Sequence, residues 1–318
     1  MNNKYNIVLS VAAMDEAFSA MRDKLAEKAN VTVVGLNDFS LADADIFIGK
    51  RLDARALADA HRLKAVFAYK TGVDDFPVKA LAEKGVVLCN SHVNSRYIAE
   101  YAFSLAAALV GRIVRFDRAM RKGDWLIDDP YWQSIFEMRV GLVGYGGIGR
   151  AVRDILAANG IPAYTLDRGK NYADVTAVSS LEELCAACDL LILSLPQTPE
   201  TDDMFDSRIF GMLRGKFIVN VGRYNCINER ALYSALTADG GLAGAALDTW
   251  REKQRDKNIP LKPFDMPFDA LDNVILSSHK AMQVKTGHRR YVEDTLRNVL
   301  RFIGGESPLN AVDLKAGY

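Results

Sequence analysis

In the second half of the chain, three polar side chains each follow directly on an apolar run. Phe217-Ile218-Val219-Asn220-Val221-Gly222 leads to Arg223, Gly244-Ala245-Ala246-Leu247 ends in Asp248, and Val274-Ile275-Leu276-Ser277-Ser278 ends in His279. An arginine is a fixed cation that can grip a carboxylate with two hydrogen bonds and polarise a neighbouring carbonyl. A histidine gives or takes a proton near neutral pH. Upstream, Val140-Gly141-Leu142-Val143 runs into Gly144-x-Gly146-x-x-Gly149, followed by the amphipathic stretch Ala151, Val152, Ile155, Leu156. Gly144 suits the angles of a tight turn, Gly146 leaves room for a pyrophosphate, and Gly149 lets helix and strand approach closely. The N–H groups at the helix start then face the phosphates. Asp167 follows Gly149 by 18 residues, at the end of Ala163-Tyr164-Thr165-Leu166. An acid there binds an adenosine ribose and repels a 2′-phosphate, which favours NAD over NADP; Arg168 pulls the other way. A glycine triplet alone also fits a structural turn, but strand, helix and acid together argue for a dinucleotide. A dinucleotide beside a guanidinium and an imidazole suits hydride transfer to a carbonyl, with the histidine moving the proton.

These residues need an open parallel sheet to hold them, and the apolar pattern supplies one. Strand-like runs at Val140–Val143, Ala163–Leu166, Leu190–Leu195, Phe217–Val221, Gly244–Asp248 and Val274–Ser277 alternate with helical stretches at 150–159, 181–187, 206–212 and 229–237. That predicts a six-stranded doubly wound sheet with ligands at its carboxyl edge. Before it, runs at Asn6–Ser10, Val31–Val34, Asp45–Gly49, Ala65–Ala68 and Val86–Cys89 alternate with helical segments at 15–28, 53–60 and 78–84, a first α/β domain. Ser95 to Val114 reads as one long apolar helix leading into the second domain, and Lys285 to Ile303 as a helix returning to the first. The predicted domains are therefore 1–105 plus 286–318, and 106–285. Of the histidines other than His279, only His92 follows a strand of the first domain; His61 and His288 lack such placement. The irregular stretch Gly123 to Phe136, with Trp125, Tyr131 and Trp132, fits a subunit interface or packing on its own domain.

The 318 residues are 49% hydrophobic and 25% charged, enough for two globular domains with a sizeable core. Lys plus Arg and Asp plus Glu are 40 each, so the balance gives no support for a nucleic-acid partner. No apolar run reaches membrane-spanning length, and the start lacks the order of a signal peptide. Cys185-x-x-Cys188 lies late in a helical stretch, so it reads as buried small side chains rather than a metal or redox pair. Cys89 and Cys226 stand apart. No metal is expected, and the cysteine usage suggests a reducing cytoplasm.

Over nearly its whole length the sequence resembles the D-isomer-specific 2-hydroxyacid dehydrogenase family. The matching stretches are Thr71-Gly72-Val73-Asp74-Asp75, Gly141 to Gly149, Leu195 to Thr201, Asn220-Val221-Gly222-Arg223, Leu242 to Asp248 and Asn273 to His279. The resemblance implies two Rossmann/flavodoxin-like domains with doubly wound parallel sheets and an interdomain cleft. It implies an NAD-dependent enzyme for a small anionic 2-keto or D-2-hydroxy acid, and a homodimer joined through the NAD domains. Arg223 resembles the substrate-binding arginine and His279 the acid/base. Gly144, Tyr145, Gly146, Gly147, Ile148, Gly149, Asp167, Arg168, Leu195, Pro196, Thr201, Val221, Gly222, Asp248 and Lys280 fall on cofactor-contacting positions. Asp248 resembles the residue that holds the nicotinamide carboxamide, which would lie between it and Arg223. Lys70, Thr71, Gly72 and His92 fall on the substrate side.

Two departures stand out. The family's glutamate, which orients the histidine and raises its pKa, usually falls five residues after the aspartate; here that position is Lys253, between Glu252 and Gln254. The charged insertion from Arg251 to Asn258 leaves room for Glu252 to take the role. Lys70, His92 and Lys280 also replace small or apolar types, which suggests a substrate with a second anionic group (phosphate, phosphonate, sulfonate or carboxylate); side chains facing solvent are the plain alternative. Two rivals remain: a same-scaffold dehydrogenase of another small anion, such as formate or phosphite, and a non-catalytic NAD-binding corepressor. A corepressor would be expected to carry long polar tails, whereas this chain stops soon after its last helix.

Overall fold

In the computed structural model, which describes residues 4–37, 39–128, 131–169, 172–251 and 262–317, most of the apolar runs become strands buried on both faces, the run at Val31–Val34 being a largely exposed edge strand. That burial is why they read as continuous rather than alternating. The chain divides into two compact units, Met1–Asn94 with Val284–Tyr318, and Ser95–Gln283. The sequence reading drew the division at 105/106 and 285/286.

In unit 1 the order is β1 (Asn6–Ser10), α1 (Glu16–Ala26), β2 (Asn30–Val34), β3 (Ile46–Gly49), α2 (Ala54–Ala58), β4 (Ala65–Ala68), α3 (Val78–Glu83) and β5 (Val87–Cys89). The sheet order is β2-β1-β3-β4-β5 and every pairing is parallel, so the winding reverses between β1 and β3. Helix α1 starts where the Asp15 carboxylate accepts the N–H of Phe18, and it buries Phe18, Met21 and Leu25.

Unit 2 opens with α4 (Ser95–Val110), which buries Ile98, Ala99, Ala102, Leu105, Ala106, Leu109 and Val110. The single helix expected to Val114 is broken. Arg112 takes a left-handed φ of 53°, and α5 (Ile113–Arg121) leaves at 61° to α4. The break falls after Gly111, where a Cβ would lie 2.8 Å from the Ala107 carbonyl oxygen. Then come β6 (Val140–Val143), α6 (Gly147–Ala158), β7 (Ala163–Leu166), β8 (Thr176–Val178), α7 (Leu181–Ala187), β9 (Leu190–Leu193), α8 (Ser207–Gly211), β10 (Phe217–Asn220), α9 (Glu229–Thr237), β11 (Gly244–Leu247) and β12 (Val274–Leu276). Among the described residues the sheet has seven strands, not six, in the order β12-β11-β10-β9-β6-β7-β8. The unexpected strand, β8, is a short edge strand with two exposed residues, so no apolar run marks it. The order reverses between β6 and β9, the switch point of a doubly wound sheet.

Two apolar layers cover that sheet. Leu105, Val152 and Leu156 belong to one, and Leu184, Ile209 and Leu232 to the other. All four cysteines are free and buried. Burial pushes the Cys188 thiol up to about 12 and Cys185 up to about 11, so both behave as packed apolar groups. The chain returns to unit 1 as α10 (Gly287–Ile303), and the segment at Ala311 pairs antiparallel with Cys89. Among the described residues no single helix is long and apolar enough to cross a membrane.

Candidate active site

The glycine turn after β6 has the geometry a diphosphate needs. Gly144 has φ +101°, a conformation that side chains resist, and its carbonyl accepts the Ser194 hydroxyl at 3.0 Å. A Cβ on Gly149 would lie 2.1 Å from the Gly144 oxygen, so only glycine lets α6 sit this close. Around Gly146, the residue before α6, a Cβ would meet nothing within 4 Å. The first N–H groups of α6 therefore open onto unfilled space, and these residues fit a dinucleotide diphosphate. Gly147 and Ile148 form the first turn of α6. The Tyr145 hydroxyl donates to Asp174 at 3.0 Å, and its ring lies 5.8 Å from that of Tyr172. Asp167 and Arg168 are both exposed beyond β7; the Asp167 carboxylate accepts the Gly169 N–H at 2.8 Å, and the Arg168 N–H donates to the Tyr172 hydroxyl at 2.9 Å.

Beyond β9, Leu195 is buried. The Thr201 hydroxyl accepts the Thr198 N–H at 2.9 Å and donates to the Pro196 carbonyl at 2.8 Å, closing the loop. Val221 and Gly222 are buried, and a Cβ on Gly222 would lie 2.7 Å from the Leu195 nitrogen. The turn into Arg223 is held by a side chain the sequence reading did not single out. Buried Asn220 accepts the Gly222 N–H at 3.0 Å and donates to the Arg223 carbonyl at 3.1 Å. Arg223 itself is half-buried, one guanidinium N–H reaching the Gly222 carbonyl at 3.3 Å.

Asp248 and His279 follow β11 and β12, which are neighbours in the sheet, as are β11 and β10. Asp248 is fully buried. Its carboxylate accepts the Lys280 N–H at 2.8 Å, the Ala281 N–H at 3.0 Å and the Ser277 hydroxyl. These bonds leave one acceptor direction open on Oδ2, enough for an amide N–H of a ligand. His279 is exposed, with φ +56°. A left-handed histidine costs about 1–3 kcal/mol and persists only when its surroundings hold it. The Lys280 ammonium is bonded to Gln283 at 2.6 Å, so this residue presents its backbone, not its charge, to Asp248. Glu252 lies outside the described residues.

In unit 1, the Thr71 hydroxyl donates to the Ser91 carbonyl at 2.9 Å and accepts from Tyr291 at 2.9 Å, while its carbonyl accepts Asn90 at 2.7 Å. That fixes the loop carrying half-buried Gly72. Lys70 does not stand in solvent. Its side chain is 16% exposed, ion-paired with Asp75, and its ammonium lies 5.6 Å from the Phe76 ring centre. His92 is exposed in the loop after β5. A second cation escaped the sequence reading: the Lys50 ammonium, after β3, lies 5.3 Å from the Tyr69 ring centre. Burial, then the charge of Lys70, holds its pKa below the usual lysine value. Only the coupled end positions of β3 and β4 would have pointed to it.

Residues 103–281, more than half of the chain, match the family model described as D-isomer specific 2-hydroxyacid dehydrogenase, NAD binding domain. A glyoxylate reductase of Korarchaeum cryptofilum is 30% identical over 272 residues, covering 82% of this chain and 80% of its own. A hydroxyphenylpyruvate reductase of Plectranthus scutellarioides is 32% identical over 265 residues, covering 82% and 79%. Among solved structures, the PH0520 protein of Pyrococcus horikoshii shares the fold with a TM-score of 0.85 at 22% identity, over 98% of this chain and 95% of that one. With the dinucleotide turn, the strand order and the Arg223, Asp248 and His279 positions on one sheet edge, the chain belongs to the D-isomer-specific 2-hydroxyacid dehydrogenase family.

Proposed function

We propose that the chain reduces a small 2-keto acid to a D-2-hydroxy acid, or runs the reverse reaction, with a nicotinamide cofactor. The observation that carries this reading is the arrival of Arg223, Asp248 and His279 behind three adjacent strands, on the same edge of the sheet as the glycine turn. Bound at the turn, the cofactor supplies or accepts a hydride. Arg223 grips the substrate carboxylate and polarises the adjacent carbonyl; Lys70, Thr71 and Gly72 are proposed as substrate-binding residues on the family resemblance. His279 gives a proton to the carbonyl oxygen in reduction and takes it back in oxidation. Asp248 offers its open acceptor position to the carboxamide. Glu252 is the candidate partner of His279.

Asp167 supports NAD as the preferred cofactor; comparing kcat/KM for NADH and NADPH in wild type and Arg168→Ala measures how far Arg168 offsets it. Lys70, Lys50 and His92 support a substrate with a second anionic group, which would compete with Asp75 for Lys70. The exposed apolar side chains Trp125, Ile127, Tyr131, Trp132 and Phe136, beyond a helix α5 whose residues are at most partly buried, support a homodimer through unit 2. Sedimentation of wild type and Trp132→Glu tests it: a dimer that falls apart in the variant supports it, and a monomeric wild type rejects it.

The main experiment follows NADH absorbance with a panel of mono- and dianionic 2-keto acids, formate and phosphite. Turnover of a 2-keto acid is expected. Turnover only of formate or phosphite with NAD would replace this reading with another small-anion dehydrogenase. NAD binding without turnover would favour a non-catalytic role.

A further inference from the structure

We propose that Tyr101 and Ser277 are positioning residues for His279, acting through the buried carboxylate of Asp248. The proposal rests on the reading of His279 as the group that moves the proton.

A histidine at φ +56° stays there only if its flanks are fixed. On one flank, the consecutive N–H groups of Lys280 and Ala281 point at the two oxygens of Asp248, at 2.8 and 3.0 Å. On the other flank, two residues back, Ser277 is held at every polar atom. Its N–H donates to the Leu247 carbonyl at 2.9 Å, and its carbonyl accepts the Trp250 indole N–H at 2.6 Å. Its hydroxyl is bonded to Asp248 Oδ1, and the same oxygen lies 2.9 Å from the Tyr101 hydroxyl.

Proton counting fixes the direction of this chain of bonds. An ionised carboxylate only accepts, so Ser277 donates to Asp248. The single Ser277 proton is then used, so Ser277 accepts from Tyr101, which donates. Tyr101 on α4 thus locks the Ser277 proton toward Asp248, and Asp248 locks the two amides that follow His279. Both ends of the strained turn hang from one buried anion. Arg223 and the diphosphate turn have supports of their own in Asn220 and Ser194. The predicted signature is a slower chemical step with keto-acid binding little changed, since a misplacement on the order of 1 Å costs about 100-fold in rate; NADH binding can weaken with it, because Asp248 is also the proposed carboxamide acceptor.

The test is steady-state NADH oxidation with a 2-keto acid that the wild type turns over. Tyr101→Phe, which removes only an oxygen, should lower kcat about 5–20-fold while KM for the keto acid stays within about twofold. Ser277→Ala should lower kcat about 50–100-fold, and Ser277→Thr, which keeps the hydroxyl, should restore it to within about threefold. His279→Gln is run beside them. If it loses turnover while Tyr101→Phe and Ser277→Ala keep wild-type kcat, the proposal is overturned and the reading of His279 stands. If His279→Gln keeps full turnover, that reading falls and the proposal with it. A rise in KM for the keto acid at constant kcat in Tyr101→Phe also overturns it. Should Ser277→Ala not fold, Tyr101→Phe with an unchanged melting temperature decides alone.

Discussion

The carboxyl edges of the two sheets are built on different terms. In unit 2, the turns after β10, β11 and β12 hang from buried polar side chains whose bonds are made inside the protein. Asn220 holds the turn of Arg223, and Asp248 with Ser277 holds the turn of His279. In unit 1, the edge carries Lys50 and Lys70, held by aromatic faces and by Asp75, whose own side chain is 58% exposed. The amino edges, by contrast, are alike. Asp45 accepts the Asn6 N–H and pairs with Arg62 and Lys64, and Asp189 accepts the Arg139 N–H and pairs with its guanidinium. A buried, satisfied network fixes atoms at the cost of adaptability, because any broken bond leaves an unpaired group in low dielectric. An ion pair with one exposed partner, such as Asp75, is cheaper to exchange for a bond to a ligand. The difference teaches that the unit 2 edge is built to hold atoms in place and the unit 1 edge to exchange partners, which is what the proposed division of chemistry and acid choice would need.

That contrast can be broken at either edge. The largest effect is expected at Arg223. Arg223→Met should lower kcat/KM by about 1000-fold or more, and Arg223→Lys should rescue little of it, because a point charge cannot make the forked grip. Steady-state kinetics checks both, and a lysine variant near wild-type activity would remove the bidentate role.

Next comes Asn220→Ala, which strands the buried Gly222 N–H and the Arg223 carbonyl. It should cost about 2–3 kcal/mol in denaturant unfolding, along with activity. A loss under about 0.5 kcal/mol, the range of an ordinary surface change, would mean that water repairs the turn and the edge is not rigid.

At the other edge, Lys70→Ala should raise KM for a dianionic 2-keto acid about 10-fold and for a monoanionic one less than about twofold, the worth of one charge-assisted bond. An equal effect on both would leave unit 1 without a role in selecting charge.

The smallest effect is at the shared amino-edge device. The Arg139 side chain and, more weakly, its N–H hold the Asp189 carboxyl below the usual aspartate range, against the opposing effect of burial. A depressed folded-state pKa stabilises the protein above the ordinary value and loses that contribution as pH falls through the folded value. Asp189→Asn should therefore melt about 1–3 °C below wild type at pH 7, with the gap closing as the solution is made acid. A gap that widened in acid would contradict the sign.

Most positions on unit 2's carboxyl edge were legible in the sequence because strand ends, glycines and charged residues are local signals. Gly144 was expected in a tight turn and has φ +101°, and Gly149 was expected in close contact and leaves no room for a Cβ. Two kinds of feature were hidden. The break at Arg112 and the edge strand β8 have no apolar periodicity to mark them. The supports, Asn220, Ser277 and Tyr101, act through contacts across 2 to 176 residues, and their residue types are common in strands and helices. Lys70 was read as facing either ligand or solvent, but it faces Asp75, five residues on, a pair that depends on the fold of its loop.

The account depends most on a hydride reaching the carbonyl carbon of a 2-keto acid with His279 supplying the proton. The direct measurement is to incubate the wild type with NADH deuterated at the transferring carbon and a 2-keto acid whose product is chiral, then to analyse that product. Deuterium at C2 of the D-2-hydroxy acid is predicted, with the yield abolished in His279→Gln. An L-product, a product without deuterium, or full yield from the variant would contradict it.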